Sequence, residues 1–263
     1  MSPTTRIDIS LTAISSRLGG LGAVLRSLLD QDHPAETVHL HLSHDAYLMD
    51  QGVAALPEDI AALQAASGGR LQVHFVRNTG PYRKLLPYLY RHWGRARLVA
   101  TADDDTIYPR DWLSRLLAAH ERYGCVTAWR GHRIALREGR IQPYRSWMRA
   151  RIEENPGRLI LPTGKDGILY DTAFFPIGVL NAGDAMKIAP TADDLWLRWH
   201  LAMNGIPVCL LEAGSRAGRF AETGAGDGLY ASYNRGGSND AAVAALENYF
   251  QAKYRFSLAA QQA

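Results

Sequence analysis

Three consecutive carboxylates, Asp103, Asp104 and Asp105, follow the apolar run Leu98-Val99-Ala100 in the segment LVATADDDTIYP. An apolar strand that runs straight into an acid cluster puts negative charge at its C-terminal end, where ligands sit in open α/β sheets. Side chains alternate along extended backbone, so Asp103 and Asp105 are expected on one side and Asp104 on the other. Two carboxylates on one side, with no thiol nearby, suit a hard divalent cation that also holds a diphosphate. Without a cation, holding both charges together is costly. The plainer alternative is a solvated acidic turn that caps a helix running from about Arg110 to Arg122.

A second acid pair, Asp193-Asp194, sits in PTADDLWLRWHLAMNG. Thr191 with Asp194 three residues on reads as a capping box, and acids in a first turn favour the helix dipole. The same position keeps a carboxylate ionised, as a general base for a hydroxyl must be. Either of the pair would cap or orient while the other works. Lys84, near a helix start after Gly80-Pro81, would share an anion with free backbone N–H groups. Ser15, Arg17 and Asp45 fall at the ends of the first two strands, on the edge where a nucleoside would lie. Such positions also form turns.

These groups need a scaffold. Strands are expected over Ile7–Ile14, Val38–Leu42, Leu71–Val76 and from Leu98 into the acids. Helices alternate with them over Leu21–Leu29, Ile60–Ala66 and from Gly80 to about Trp93, with Pro81 and Pro87 confined to first turns. That alternation predicts a parallel, doubly wound sheet. No G-x-G-x-x-G follows the first strand and no P-loop lysine motif is present, which disfavours dinucleotide and Walker-type sites.

Further on, Cys125–Trp129, His132–Leu136 and Leu159–Tyr170 read as strands, the last broken by Gly164 and Gly167. Thr191–Asn204 reads as a helix stopped by Gly205 and Pro207. Ala213–Ser238 reads as a mobile loop, and Asn239 to about Tyr254 as a last helix. Arg130, Arg133, Arg137, Arg140, Arg145, Arg149 and Arg151 crowd one stretch among Trp129, Tyr144 and Trp147. That stretch suits a solvated surface, the phosphates of an acceptor or anionic lipid, or nucleic acid with stacked bases. His132 and His200 read as structural or surface residues.

The 263 residues can bury one large core or two small ones, and a net charge of +3 does not identify nucleic acid as a partner. Two cysteines in apolar segments, Cys125 and Cys209, form no disulfide framework or zinc pattern, which fits a reducing cytoplasm. The N-terminus lacks a signal-peptide core, and no apolar run approaches the ~18–20 residues that span a bilayer.

Taken in order, LTAISSR, GPYRKLLPYL, TADDDTIYP, LPTGKDGILY, PTADDLWLRWHLAMNGIPV and NRGGSND resemble the bacterial GT-A-fold glycosyltransferases related to family 2, which serve capsule and lipopolysaccharide assembly. The resemblance covers about residues 7 to 250. It implies an α/β GT-A fold: a Rossmann-like, mostly parallel central sheet with flanking helices and a smaller acceptor-side subregion. It implies a single domain, with about 6–122 binding a nucleotide sugar and about 123–250 carrying the acceptor and catalytic half.

Asp105 and Asp103 are then the metal carboxylates, for Mn²⁺ or Mg²⁺. Ser15, Arg17, Asp45, Lys84, Asp103 and Asp104 line the nucleotide side, and Gly164 and Gly167 belong to a loop beside the donor sugar. Asp194, with Asp193, supplies the base of an inverting, hexosyl-type transfer, and Trp129, Trp147 and Trp196 are the candidates for the acceptor cleft. The implied donor is a UDP-sugar and the acceptor a glycan or lipid-linked glycan, with no nucleic-acid partner. The implied place is the cytoplasm, with room for peripheral contact at the inner membrane face. Asp166 and Asp171 stand where relatives usually carry Gly and Pro, which leaves the loop's shape and sugar specificity open. A third metal ligand has no assigned position. The rival readings are a sugar-phosphate nucleotidyltransferase, for which Gly19-Gly20 with Arg17 and Arg26 is a poor phosphate loop, a basic nucleic-acid-binding module, and an inactive homologue.

Overall fold

A computed structural model of the chain describes residues 5–212, 220–224 and 237–262. Seven strands build the central sheet: β1 (Ile7–Thr12), β2 (Val38–Leu42), β3 (Leu71–Phe75), β4 (Leu98–Ala102), β6 (Val126–Ala128), β11 (Ile168–Asp171) and β12 (Val208–Leu210). Three small pairs accompany it: β5 (Thr106–Ile107) with β13 (Ala221–Glu222), β7 (Gly131–Arg133) with β10 (Ile160–Pro162), and β8 (Leu136–Arg137) with β9 (Arg140–Ile141). The sheet order is β12-β6-β11-β4-β1-β2-β3. β11 is antiparallel to β4 and β6; the other pairs run parallel. Both halves of the chain contribute strands to this one sheet.

Helices cover both faces: α1 (Leu18–Leu29), α2 (Glu58–Ala66), α3 (Leu86–His92), α4 (Trp112–Tyr123), α5 (Tyr144–Trp147), α6 (Ala182–Ile188), α7 (Asp193–Met203) and α8 (Ser238–Tyr254). The period-two alternation of the strands divides the core between the faces. Ile7, Ile9, Leu11, Ala100, Ala102 and Leu169 pack on one side with Leu21, Val24, Leu25 and Leu28 of α1. Val99, Ile168 and Tyr170 pack on the other with α3, α7 and α8. Each fully buried aliphatic of the α1 stripe contributes roughly 1.5–3 kcal/mol. α4 stops at Gly124, whose φ of 61° gives the left-handed cap that glycine adopts without a Cβ clash.

Three expectations need correction. The helix expected from Gly80 is split into a 3₁₀ turn, Gly80–Lys84, and α3. Pro87 lacks the N–H that would bond to Arg83, so a continuous helix cannot form. Asp194 does not close the expected capping box: Ala192 is the N-cap of α7, and the Asp194 carboxylate accepts from the Gly164 N–H instead. Trp129, Trp147 and Trp196 are each 1% exposed or less and belong to the core. Trp147 and Trp196 donate their indole N–H groups to Gln142 and Val179 carbonyls, and Arg115 lies 4.5 Å over the Trp129 ring.

His200 fits its structural reading, buried against Trp196, Phe250 and Tyr254, with burial and then Lys253 pushing its pKa down to about 3. Most of Ala213–Ser238, including Asn234 to Gly236 of NRGGSND, lies outside the described residues. Among the described residues no helix is long and apolar enough to cross a membrane.

Candidate active site

At the C-terminal ends of β1 and β4, a cleft of about 590 Å³ gathers residues from both halves of the chain. The acid triplet occupies the tight turn from β4 into β5, so strand alternation does not govern it, and all three carboxylates border the cleft. The Asp103 N–H donates to Tyr108 Oη at 2.7 Å, which pins the start of the turn. Asp104 is buried and accepts from the Ile14 N–H (3.3 Å) and from Arg17 Nη1 (2.7 Å). Arg17 also reaches Asp105 Oδ2 at 2.9 Å, so one guanidinium holds two acids. Burial pushes the Asp104 pKa up even though Arg17 opposes it. Asp103 is ion-paired with Lys84 at the end of the 3₁₀ turn.

The second acid pair meets the first across Lys84. α7 begins at Asp193, and Asp194 Oδ2 accepts the Gly164 N–H at 2.9 Å. A Cβ on Gly164 would lie 3.0 Å from Lys84 Nζ and 3.3 Å from Asp194 Oδ1, so glycine is what lets these groups converge. Burial, then the neighbouring Asp193, push the Asp194 pKa up to about 8; Lys84 and the Gly164 N–H pull the other way. Asp193 is raised as well, chiefly by burial. Burial works against the Lys84 charge, but Asp103, Asp193 and Asp194 outweigh it and hold its pKa above the ordinary lysine value.

Arg17, Lys84, Asp103, Asp104, Asp105, Gly164, Asp193 and Asp194 therefore share one cleft. Ser15, Asp45 and Gly167 do not line it. Ser15 is used structurally, its N–H on Asp50 Oδ1 (2.9 Å) and its Oγ accepting from Gln51 (3.0 Å). Asp45 is exposed. Gly167, at φ 100°, admits the Trp112 ring, which a Cβ would meet at 2.5 Å. His132 and Tyr144 line the cleft where the tryptophans were expected.

Sequence reasoning missed the Asp50–Arg83 pair. Both side chains are almost fully buried, 2.7 Å apart, and both border the cleft. Asp50 also accepts from Asn78 Nδ2 and from the Ser15 and Gly52 N–H groups, which fixes the loop carrying Tyr47 and Leu48. Arg83 Nε and Nη1 are buried without a hydrogen-bond partner. Gly80 hinted at this loop: its φ is 61°, and a Cβ there would press on Tyr47 (3.0 Å) and Leu48 (3.1 Å).

Five basic side chains line the cleft against seven acidic ones. A diphosphate entering it would meet the carboxylates of the acid turn, Asp103 and Asp105, and be repelled unless a cation came with it. The donors available, Asp103 and the half-buried Asp105, are hard carboxylate oxygens and fit Mg²⁺ or Mn²⁺ completed by phosphate oxygens. Among the described residues no three His, Cys, Asp or Glu side chains form a ready-made metal cage. The fit is to a metal bound jointly with its ligand.

No protein-family model matches the chain, and no curated protein matches it in sequence. Solved structures do match in shape. S. aureus TarS 1–349 aligns over 98% of this chain and 76% of its own, at 14% identity and a TM-score of 0.52. The same TarS fragment in complex with UDP-GlcNAc aligns over 96% and 74%, at 14% identity and a TM-score of 0.49. A 4-diphosphocytidyl-2C-methyl-D-erythritol synthase from Anaerococcus prevotii aligns over 70% and 76%, at 12% identity and a TM-score of 0.41. With its mostly parallel seven-stranded sheet, its flanking helices and its likeness to TarS along nearly its whole length, this chain has a GT-A-like fold.

Proposed function

We propose that the cleft is the active site of a metal-dependent glycosyltransferase that moves a sugar from a nucleotide-sugar donor to a hydroxyl acceptor in surface-glycan assembly. The observation that carries this reading is the convergence of two acid groups across Lys84: a charged turn suited to a metal diphosphate, and a base-like Asp194 beside it. The fold likeness to TarS supports it, and UDP-GlcNAc, with which TarS was crystallised, is the natural first probe. In this reading Tyr47 and Leu48 form the wall for the base, and Arg83 holds that wall in place through Asp50. Arg17 fixes Asp104 and Asp105, and Asp103 and Asp105 hold Mn²⁺ or Mg²⁺. That ion, when bound, offsets the charge of the departing diphosphate.

Asp194 takes the proton of the acceptor hydroxyl, whose oxygen attacks the anomeric carbon as the bond to the diphosphate oxygen breaks. Attack from the face opposite the leaving group inverts the anomeric centre. Positioning and electrostatics supply most of the rate. A nucleotidyltransferase would need a basic loop after β1. Here Arg17 is held by Asp104 and Asp105, and Arg26 does not line the cleft.

The test is Asp105→Ala. Asp105 is partly exposed, so the variant should fold with an unchanged melting temperature. Calorimetric titration with UDP-GlcNAc should show Mn²⁺-dependent binding in the parent, weakened about tenfold or more in the variant, where EDTA no longer matters. Binding that stays equally Mn²⁺-dependent in the variant would sink the assignment. Gly164→Ala should separate positioning from stability. Its methyl pushes Lys84 and Asp194 apart, so turnover should fall by about tenfold or more with little change in melting temperature. Unchanged turnover would mean that this convergence is not used.

A further inference from the structure

The acceptor-side wall is charged quite unlike the acid turn. Between Val126 and Arg158 the chain carries eight arginines, three glutamates and no lysine. Glu138 and Glu153 lie against Arg137 and Arg133. Arg130 is the member of this set that lines the cleft among the described residues. Its Nη2 bonds to Asp166 Oδ2 at 2.6 Å, while the side chain stays 40% exposed.

Asp166 is an unusual anchor. It is buried, its backbone is left-handed at φ 71°, and its Oδ1 has no hydrogen-bond partner. Glycine adopts that conformation with less strain than aspartate, and a buried carboxylate is costly unless paired. Glycine would turn the loop without either cost, so loop geometry does not account for this aspartate. Fixing the orientation of the Arg130 guanidinium does. The other N–H groups of Arg130 have no protein partner among the described residues. Beside it, Thr163 donates its N–H to the Arg130 carbonyl (3.1 Å), borders the cleft, and buries an Oγ1 that also lacks a partner. The next residue, Gly164, holds Asp194.

We propose that Arg130, oriented by Asp166 and flanked by Thr163 Oγ1, recognises an anionic group, phosphate or carboxylate, on the acceptor close to the hydroxyl that reacts. The placement beside the reacting hydroxyl rests on the reading of Asp194 as base; the anion site itself does not. The planar fork of arginine matches both oxyanions with two parallel hydrogen bonds, which lysine cannot do. Arg145 and Arg149 extend the basic surface. They are exposed, have no acidic partner among the described residues, and sit on the segment that gives Tyr144 and Met148 to the cleft. A glycan with repeated anionic groups would find charge beyond the cleft as well as inside it.

The experiment uses the whole protein saturated with UDP and Mg²⁺, so that the acid turn is already occupied. Saturation-transfer NMR then follows glycerol 3-phosphate against glycerol, and glucuronate against glucose. One anionic probe should bind at least about tenfold more tightly than its neutral counterpart. Preference for the phosphate or for the carboxylate names the class. Arg130→Gln should remove the preference while UDP affinity is unchanged, and Arg130→Lys should restore only part of it. Because Arg130→Gln strands a buried carboxylate, Arg130→Gln/Asp166→Gly serves as the second variant, with both charges and the strain removed. Equal binding of charged and neutral probes, or a preference that survives in the double variant, overturns the proposal. UDP binding is read separately. A chain that ignores UDP but keeps an Arg130-dependent preference would contradict the transferase reading and leave the anion site standing.

Discussion

Asp194→Asn is expected to lower sugar transfer by roughly 10²–10⁴-fold with little change in donor affinity, because it removes the group that accepts the proton and keeps the shape. The parent should show a matching pH profile. With its pKa pushed up to about 8 by burial and by Asp193, the base is mostly protonated at pH 6 and mostly ionised at pH 9. kcat/KM should therefore rise about tenfold per pH unit below 8 and level off above it. The profile belongs to the pair, since Asp193 and Asp194 share their protons.

Stability should run in the opposite direction. The folded pKa lies above the unfolded value of about 3.9, so the folded state holds a proton that the unfolded chain has released. That contribution is complete below pH 4 and is lost as pH rises through 8. Asn carries no charge at any pH, so the variant should melt with the parent at pH 4 and above it at pH 9. A flat rate profile with unchanged activity in Asp194→Asn would remove Asp194 from the mechanism.

Arg83→Met should produce the largest loss of stability. It strands the Asp50 carboxylate, 2% exposed, without the cation 2.7 Å away. Breaking a buried pair from one side costs about 3–5 kcal/mol, on the order of 10 °C in melting temperature for a chain of this size. The same change should loosen the loop that Asp50 ties to Ser15, Gly52 and Asn78, and with it the Tyr47–Leu48 wall, so that UDP binding weakens as well. Asp50→Asn/Arg83→Met should recover part of the stability, because Asn keeps an acceptor without a charge. Calorimetric melting and UDP titration measure both effects. A melting temperature within 2 °C of the parent would show that the pair carries little.

Much of this site was legible in the linear chain, for a physical reason. Carboxylates next to apolar strand or helix segments are conspicuous, so Asp103–Asp105 and Asp193-Asp194 stood out, as did Lys84 after Gly80-Pro81. The first four strands alternate cleanly with helices, and the parallel sheet follows from that. Other features depend on contacts that no local pattern encodes. Asp50 resembles any loop acid until Arg83, far along the chain, is folded against it. Ser15 and Asp45 share the polar character of ligand-binding residues and of turn-formers alike, and only the path of the loop decides.

Tryptophans amid arginines look the same whether they face a cleft or a core. Here α7 and the strand faces supplied enough apolar surface to bury all three. Asp194 did not close the capping box because its carboxylate found the Gly164 N–H, a partner from another element. The antiparallel pairing of β11 was not legible, because a residue pattern marks a strand's faces but not its direction.

This cleft is expected to bind a nucleotide sugar through a metal held by the acid turn. Thermal unfolding with UDP-GlcNAc, UDP-glucose, GDP-mannose and the free nucleoside diphosphates, each in Mn²⁺ and in EDTA, tests it most directly. Binding to the native state adds about 2.7 kcal/mol at a hundredfold excess over Kd, enough to move the transition by several degrees. One nucleotide sugar should raise the melting temperature in Mn²⁺, EDTA should cancel the rise, and Asp105→Ala should lack it. A folded chain that none of these ligands stabilises, with or without metal, would contradict it.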